Sequence, residues 1–205
     1  MKRTGACSAV LNEIIFIIGG SDGKEVLKSV EMYENVLFTI DTDDEKILSK
    51  SKALDKEVAD MKVARTGARA VDHKGLIYVI GGNTGSGVTK TGEVYDPETN
   101  IGKCLPEMKY ERREFRLAVV HNRILAVGGY IGKNPTDVIE LYDIKTEKWV
   151  SCEQLAEPRS NLAMATVKVE FLDPVVVNKI KFRGDVLIEK TRRIALPIQK
   201  HFAWK

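Results

Sequence analysis

The chain has 205 residues, 43% of them hydrophobic and 30% charged, with a formal net charge of +3. That is the profile of an ordinary soluble globular protein, and so small a charge, with no basic stripe rich in aromatics, leaves nucleic-acid binding without support. The longest apolar run, Ile14 to Ile18, is far below the ~20 residues a membrane span needs.

The first unit opens at Met1-Lys2-Arg3-Thr4-Gly5, which lacks the continuous apolar stretch of a secretion signal. After Arg3, Ala6 to Leu11 suits a first strand. Ile14-Ile15-Phe16-Ile17-Ile18 suits a second and ends in Gly19-Gly20. A run that is apolar at every position fits a strand covered on both faces. Glycine at its end permits a positive φ or a backbone approach that a Cβ would block. Glu31 and Tyr33 mark a third strand.

The second unit repeats these landmarks in phase. Arg65 precedes Gly81-Gly82 by the same 16 residues that separate Arg3 from Gly19, and Tyr95 follows Gly81 by the same 14 that separate Tyr33 from Gly19. Ala68 to Val71 and Leu76 to Ile80 are its first two strands. Glu93-x-Tyr95 lies on the third, and Asp96-Pro97-Glu98-Thr99-Asn100 is a turn into the fourth. The third unit carries Arg112, Phe115 to Val120, Ile124 to Val127, Gly128-Gly129, Glu140-x-Tyr142 and the turn Asp143-Ile144-Lys145-Thr146-Glu147 before Lys148-Trp149-Val150. Met108 and Leu155 each stand 13 residues after the tyrosine, whereas Met61 stands 28 after Tyr33, so the first unit holds 15 extra residues. These include Asp41 to Lys46 and Lys50-Ser51-Lys52, read as a solvated loop between the third and fourth strands. A fourth unit starts at Arg159, but Val175-Val176 stand where its glycine doublet belongs. Lys168 to Lys205 holds nine Lys or Arg against four Asp or Glu, and reads as a partly ordered basic tail.

The set Arg-x(15)-Gly-Gly, Glu-x-Tyr-Asp, then Trp six residues before Met or Leu resembles the kelch repeat. The resemblance implies an all-β fold: a β-propeller fragment with three four-stranded blades at 3–61, 65–108 and 112–155, the start of a fourth at 159–168, and a non-kelch tail at 169–205. The tryptophan position departs from the pattern in two units, where Asp55 and Gly102 replace it, so the first two blades should be less firm than the third. Three blades cannot close a ring. The apolar faces at either end therefore invite self-association.

Catalysis finds no support. His73, His121 and His201 form no ligand pattern with Cys or carboxylates, and His73 and His121 fall in exposed turns. Gly81 to Gly87 is glycine-rich but follows a propeller strand and lacks a Gly-Lys-Ser/Thr ending. We expect no cofactor, no metal and no enzyme activity. Cys7, Cys104 and Cys152 form no close pair and suit free thiols in the cytoplasm.

The resemblance instead implies a protein-binding module. Such propellers serve as substrate receptors of cullin-type ubiquitin ligases or as actin-binding scaffolds, an enzyme on the same fold being the remote alternative. The face that grips partners would combine the loops entering each first strand, with Arg3, Arg65, Arg112 and Arg159, and those after the doublets, with Ser21, Asp22, Asn83 and Tyr130. Arginine pairs bidentately with carboxylates, so an acidic segment is the expected partner. The competing expectation is that each arginine anchors its own blade.

Overall fold

The computed structural model describes residues 1–34, 39–40, 47–48, 52–53, 58–152 and 154–164. The chain divides into two units, Met1–Ala163 and Met164–Lys205. The account below concerns the first. The tail from 165 onward, Asp55 and the acidic stretch Asp41 to Lys46 lie outside the described residues.

Three antiparallel sheets of four strands each make three blades. Blade 1 comprises β1 (Cys7–Leu11), β2 (Ile14–Ile18) and β3 (Val30–Glu34). It then carries a small hairpin, β4 (Thr39–Ile40) with β5 (Ile47–Leu48), before β6 (Lys52–Ala53) completes the sheet. Blade 2 comprises β7 (Arg69–His73), β8 (Leu76–Ile80), β9 (Gly92–Asp96) and β10 (Ile101–Leu105). Blade 3 comprises β11 (Arg116–Val120) and β12 (Arg123–Val127), a hairpin β13 (Tyr130–Ile131) with β14 (Asn134–Pro135), then β15 (Ile139–Asp143) and β16 (Lys148–Ser151). The extra residues of the first unit are thus not simply a loop, since they hold the β4–β5 hairpin, with Ile40 opposite Ile47. No strand is assigned among described residues 159–164, where a lone one was expected.

Each blade follows its chain outward from one inner strand to the next. β1, β7 and β11 are innermost, and they are the strands that meet between neighbouring blades. The two residue parities of β8 show why its apolar run has no polar face. Ile77 and Val79 pack with Phe16, Ile18 and Met32 of blade 1, whereas Tyr78 and Ile80 pack with Phe115, Ile124 and Ala126 of blade 3. Each fully buried Ile or Phe contributes ~1.5–3 kcal/mol, so these two interfaces are the core.

The turns are set by local chemistry. Asp96 Oδ1 accepts from the Glu98 N–H at 2.9 Å, and Asp143 Oδ1 accepts from Lys145 and Thr146 N–H at 3.0 and 3.1 Å. Such side-chain caps turn the chain tightly enough to return as the fourth strand.

The two ends differ, against the expectation of two open faces. On blade 3 the residues that would face a further blade, Leu125, Val127 and Ile139, are only 7%, 3% and 0% exposed. The segment after Leu155 already bonds to this blade, with Arg159 N–H on Thr136 O and Leu155 N–H on Asp137 O. On blade 1 the opposite face keeps Ile15, Ile17 and Tyr33 partly exposed and Val10 51% exposed.

Candidate protein-binding rim

Arg65 and Arg112 do not reach a surface: they are 1% and 0% exposed. Arg65 donates from Nη1 to Gly81 O and Thr91 O, both at 3.0 Å, and from Nη2 to Thr91 Oγ1 at 2.8 Å and Glu93 Oε1 at 3.2 Å. Arg112 repeats this on Gly128 O and Val138 O, both at 3.1 Å, and on Glu140. Arg3 does so on Gly19 O, Ser29 O and Glu31, with its side chain 6% exposed. In each the two Nη groups are taken up by carbonyls and a glutamate, and the Nε of Arg3 and of Arg112, though without a hydrogen-bond partner, is buried out of a partner's reach. The expectation that these three arginines line a binding face is corrected on that ground. Arg159 is more open, its side chain 36% exposed and paired with Glu157.

The glutamates, legible in the sequence only as landmarks, complete this rivet. Glu93 accepts from the backbone N–H groups of Lys62 at 2.7 Å and Val63 at 3.1 Å. Glu140 accepts likewise from Lys109 at 2.7 Å. For Glu31, burial alone would raise the carboxyl, but hydrogen bonds from Tyr33, the N-terminal ammonium and Arg3 outweigh it and hold the carboxyl at about 2. The doublets join one blade to the next. The second glycine of each donates to the carbonyl of the following repeat arginine: Gly20 to Arg65, Gly82 to Arg112, Gly129 to Arg159. The first glycine has a φ of 62–65°, and a Cβ on Gly81 would stand 2.7 Å from Arg112 O.

What emerges at the surface is the residue after each arginine. Thr4, Thr66 and Arg113 form β-bridges with Ser21, Asn83 and Tyr130, the residues after the doublets. Three of the expected rim residues are therefore brought to equivalent positions in the three blades. Asp22 lies one residue further out. Its carboxylate accepts from Glu25 and Lys24 N–H at 2.9 and 2.8 Å, bonds that lower its pKa.

One residue further on, Gly5, Gly67, Glu114 and Asn161 all have positive φ, between 51° and 65°. They link blade to blade: Gly67 N–H donates to Gly5 O at 2.8 Å, Glu114 N–H to Gly67 O at 3.4 Å and Asn161 N–H to Glu114 O at 3.1 Å. This chain of bonds outlines the mouth of the space beside the innermost strands. The mouth is a depression open to solvent and lined by Thr66, Arg69, Asn83, Arg113, Glu114 and Asn161.

Its charge is positive. Arg113 lies over the Tyr130 ring at 4.6 Å and pairs with Glu114, which also accepts from Asn161 Nδ2 at 3.1 Å. Arg69 is held by Phe115 O at 2.8 Å and Ala68 O at 3.1 Å. Burial, then the nearby Arg116 charge, lower its pKa. No ion pair or hydrogen bond engages the Arg116 side chain among the described residues. Sequence reasoning missed Arg69, Arg113, Arg116 and Glu114. The available signal was a departure between repeats, Arg113 standing where the first two units have threonine and the fourth has Ser160.

No group of three or more His, Cys, Asp or Glu converges among the described residues. His73 Nε2 meets Asn122 Oδ1 at 3.1 Å across two neighbouring strand turns. No described helix is long and apolar enough to cross a membrane.

The Kelch motif model matches residues 2–34, 64–109 and 111–155. The chain is 37% identical over 97 residues to Kelch-like protein 41b of Danio rerio, covering 43% of this chain and 16% of that protein. It is 30% identical over 114 residues to Kelch-like protein 40 of Xenopus laevis, covering 55% and 16%. It therefore spans about a sixth of the length of these relatives. The solved structure of YjhT superposes with a TM-score of 0.58 at 15% identity, over 76% of this chain and 53% of that one, a likeness of fold. With motif matches over all three blades, the chain belongs to the kelch-repeat family and is a fragment of a kelch β-propeller.

Proposed function

We propose that the chain binds an acidic segment of a protein partner across the mouth bordered by Asn83, Arg113, Tyr130 and Arg116. One observation carries this reading: Arg69 and Arg113 line the mouth with Glu114 as the one carboxylate in its lining, and the Arg116 charge is near enough to act on Arg69. The repeat arginines contribute from beneath, by holding the loops that present these groups. Ser21 and Asp22 extend the rim on blade 1. Membership of the kelch family supports the protein-binding class. As the recognition part of a cullin-type ubiquitin ligase, the chain would grip the target while a separate domain recruited the ligase.

The test is direct binding of Glu-rich and Lys-rich peptides of equal length, with Arg113→Ala and Arg116→Ala as rim variants. Only the Glu-rich peptide should bind, and each substitution should slow association and weaken binding, with an effect that shrinks as salt rises. Equal binding of both peptides, or rim variants that bind like the parent, would refute the reading.

A further inference from the structure

Glu114 departs from its repeat. The two preceding units carry Gly5 and Gly67 at this phase, with φ of 65° and 64°, and Glu114 adopts the same left-handed backbone at 55°. The other non-glycine residues with a positive φ, Asn161 aside, sit in the tight turns that join paired strands. A residue with a Cβ is disfavoured in this region, asparagine least so. One held there marks a place where its contacts offset the strain.

The side chain makes those contacts at the mouth. Its Oε1 pairs with Arg113 Nη1, and its Oε2 accepts from Asn161 Nδ2 at 3.1 Å. Arg113 is also fixed by the Tyr130 ring, 4.6 Å from the guanidinium. The side chains of Arg113 and Glu114 are 31% and 33% exposed, so a ligand reaches both. An ion pair this open is weak. It holds Glu114 in place without locking it there.

We infer that Glu114 is the specificity-determining residue of the mouth: it takes the place on Arg113 that a partner's carboxylate would take, and must be displaced before an acidic segment binds. The inference rests on the acidic-segment reading. Exchanging Glu114 for a partner's carboxylate replaces one ion pair on Arg113 by another, and the carboxylate of the chain itself competes at high effective concentration. A segment with one carboxylate therefore gains almost nothing. One with several also meets Arg116, whose guanidinium has no hydrogen bond or ion pair among the described residues, and the net gain comes from there. The mouth is thus selective for runs of acidic residues over isolated ones.

The test is calorimetric titration of the full chain with the Glu-rich peptide and with a peptide of equal length bearing one Glu. Glu114→Gln keeps the shape of the side chain and an acceptor for Asn161. It should bind the Glu-rich peptide about three- to fivefold tighter than the parent, and bind the single-Glu peptide where the parent shows no heat. Glu111→Gln, which removes an equal charge from an exposed position three residues away, should change binding by less than about 1.5-fold. The gain should disappear in an Arg113→Ala background. Should Glu114→Gln not fold, Glu114→Gly, suited to the left-handed backbone, takes its place. A Glu114 variant that binds like the parent, an equal gain from Glu111→Gln, or a gain that survives without Arg113 overturns the inference and leaves the acidic-segment reading standing. Failure of both parent and variant to bind the Glu-rich peptide overturns both.

Discussion

The Arg112–Glu140 pair, 0% and 1% exposed, is the residue on which blade 3 turns. Removing either member leaves the other charge buried and alone, which costs ~3–5 kcal/mol. Lysine is no substitute, because a point charge cannot meet Gly128 O, Val138 O and Glu140 together as a planar fork does. We expect Arg112→Lys to melt nearly as early as Arg112→Ala in urea unfolding, and a parent-like midpoint would disprove the rivet. Glu31 makes the pH counterpart. Its hydrogen bonds hold the folded carboxyl at about 2, below the ordinary glutamate value of 4.5, so its stabilisation is full above 4.5 and fades as pH falls through about 2. The Glu31→Gln variant should lose less stability than the parent between those limits in acid titrations followed by circular dichroism. Equal losses would show that the carboxylate contributes nothing.

At the scale of elements, the blades share a register and differ in what fills it. Trp149 covers the outer part of the blade 2–blade 3 interface, where its ring meets Tyr142 and packs against the buried cluster of that interface. At the blade 1–blade 2 interface Gly102 leaves the same place open. Truncating a packed indole costs ~3–5 kcal/mol, so Trp149→Gly should bring blade 3 down to the protection of blade 2. Hydrogen exchange at Tyr142 and Leu141, compared with Tyr95 and Val94, measures this. If blade 3 amides exchange no more slowly than blade 2 amides in the parent chain, the ring is not what sets blade firmness.

For the unit as a whole, the open face of blade 1 is the decisive feature. Ile15, Ile17 and Tyr33 stand at the positions of Ile124, Ala126 and Tyr142, which are 0%, 0% and 2% exposed in blade 3. A covered partner face exists at one end only, so pairing should be isologous, open face against open face, and stop at two copies. Sedimentation at tens of micromolar should show a dimer that Ile17→Lys converts to monomer with an unchanged β-sheet spectrum. A parent chain that sediments as a monomer would rule this assembly out.

The spacing of Arg, Gly-Gly, Glu and Tyr sufficed for the blades, their strand order and the resemblance to kelch repeats, because each blade strand pairs with the next strand of its own blade and sheet periodicity is local. Gly81 shows how far that reasoning reaches: a glycine was required, but the Arg112 carbonyl that excludes a Cβ comes from the next repeat. The same spacing could not tell a binding arginine from an anchoring one. Arg112 and Arg113 are adjacent in sequence, yet one is buried against Glu140 and the other lies over Tyr130 at the mouth. Alternate residues of an extended backbone point to opposite sides. Which side faces protein and which faces water was decided only when the blades packed.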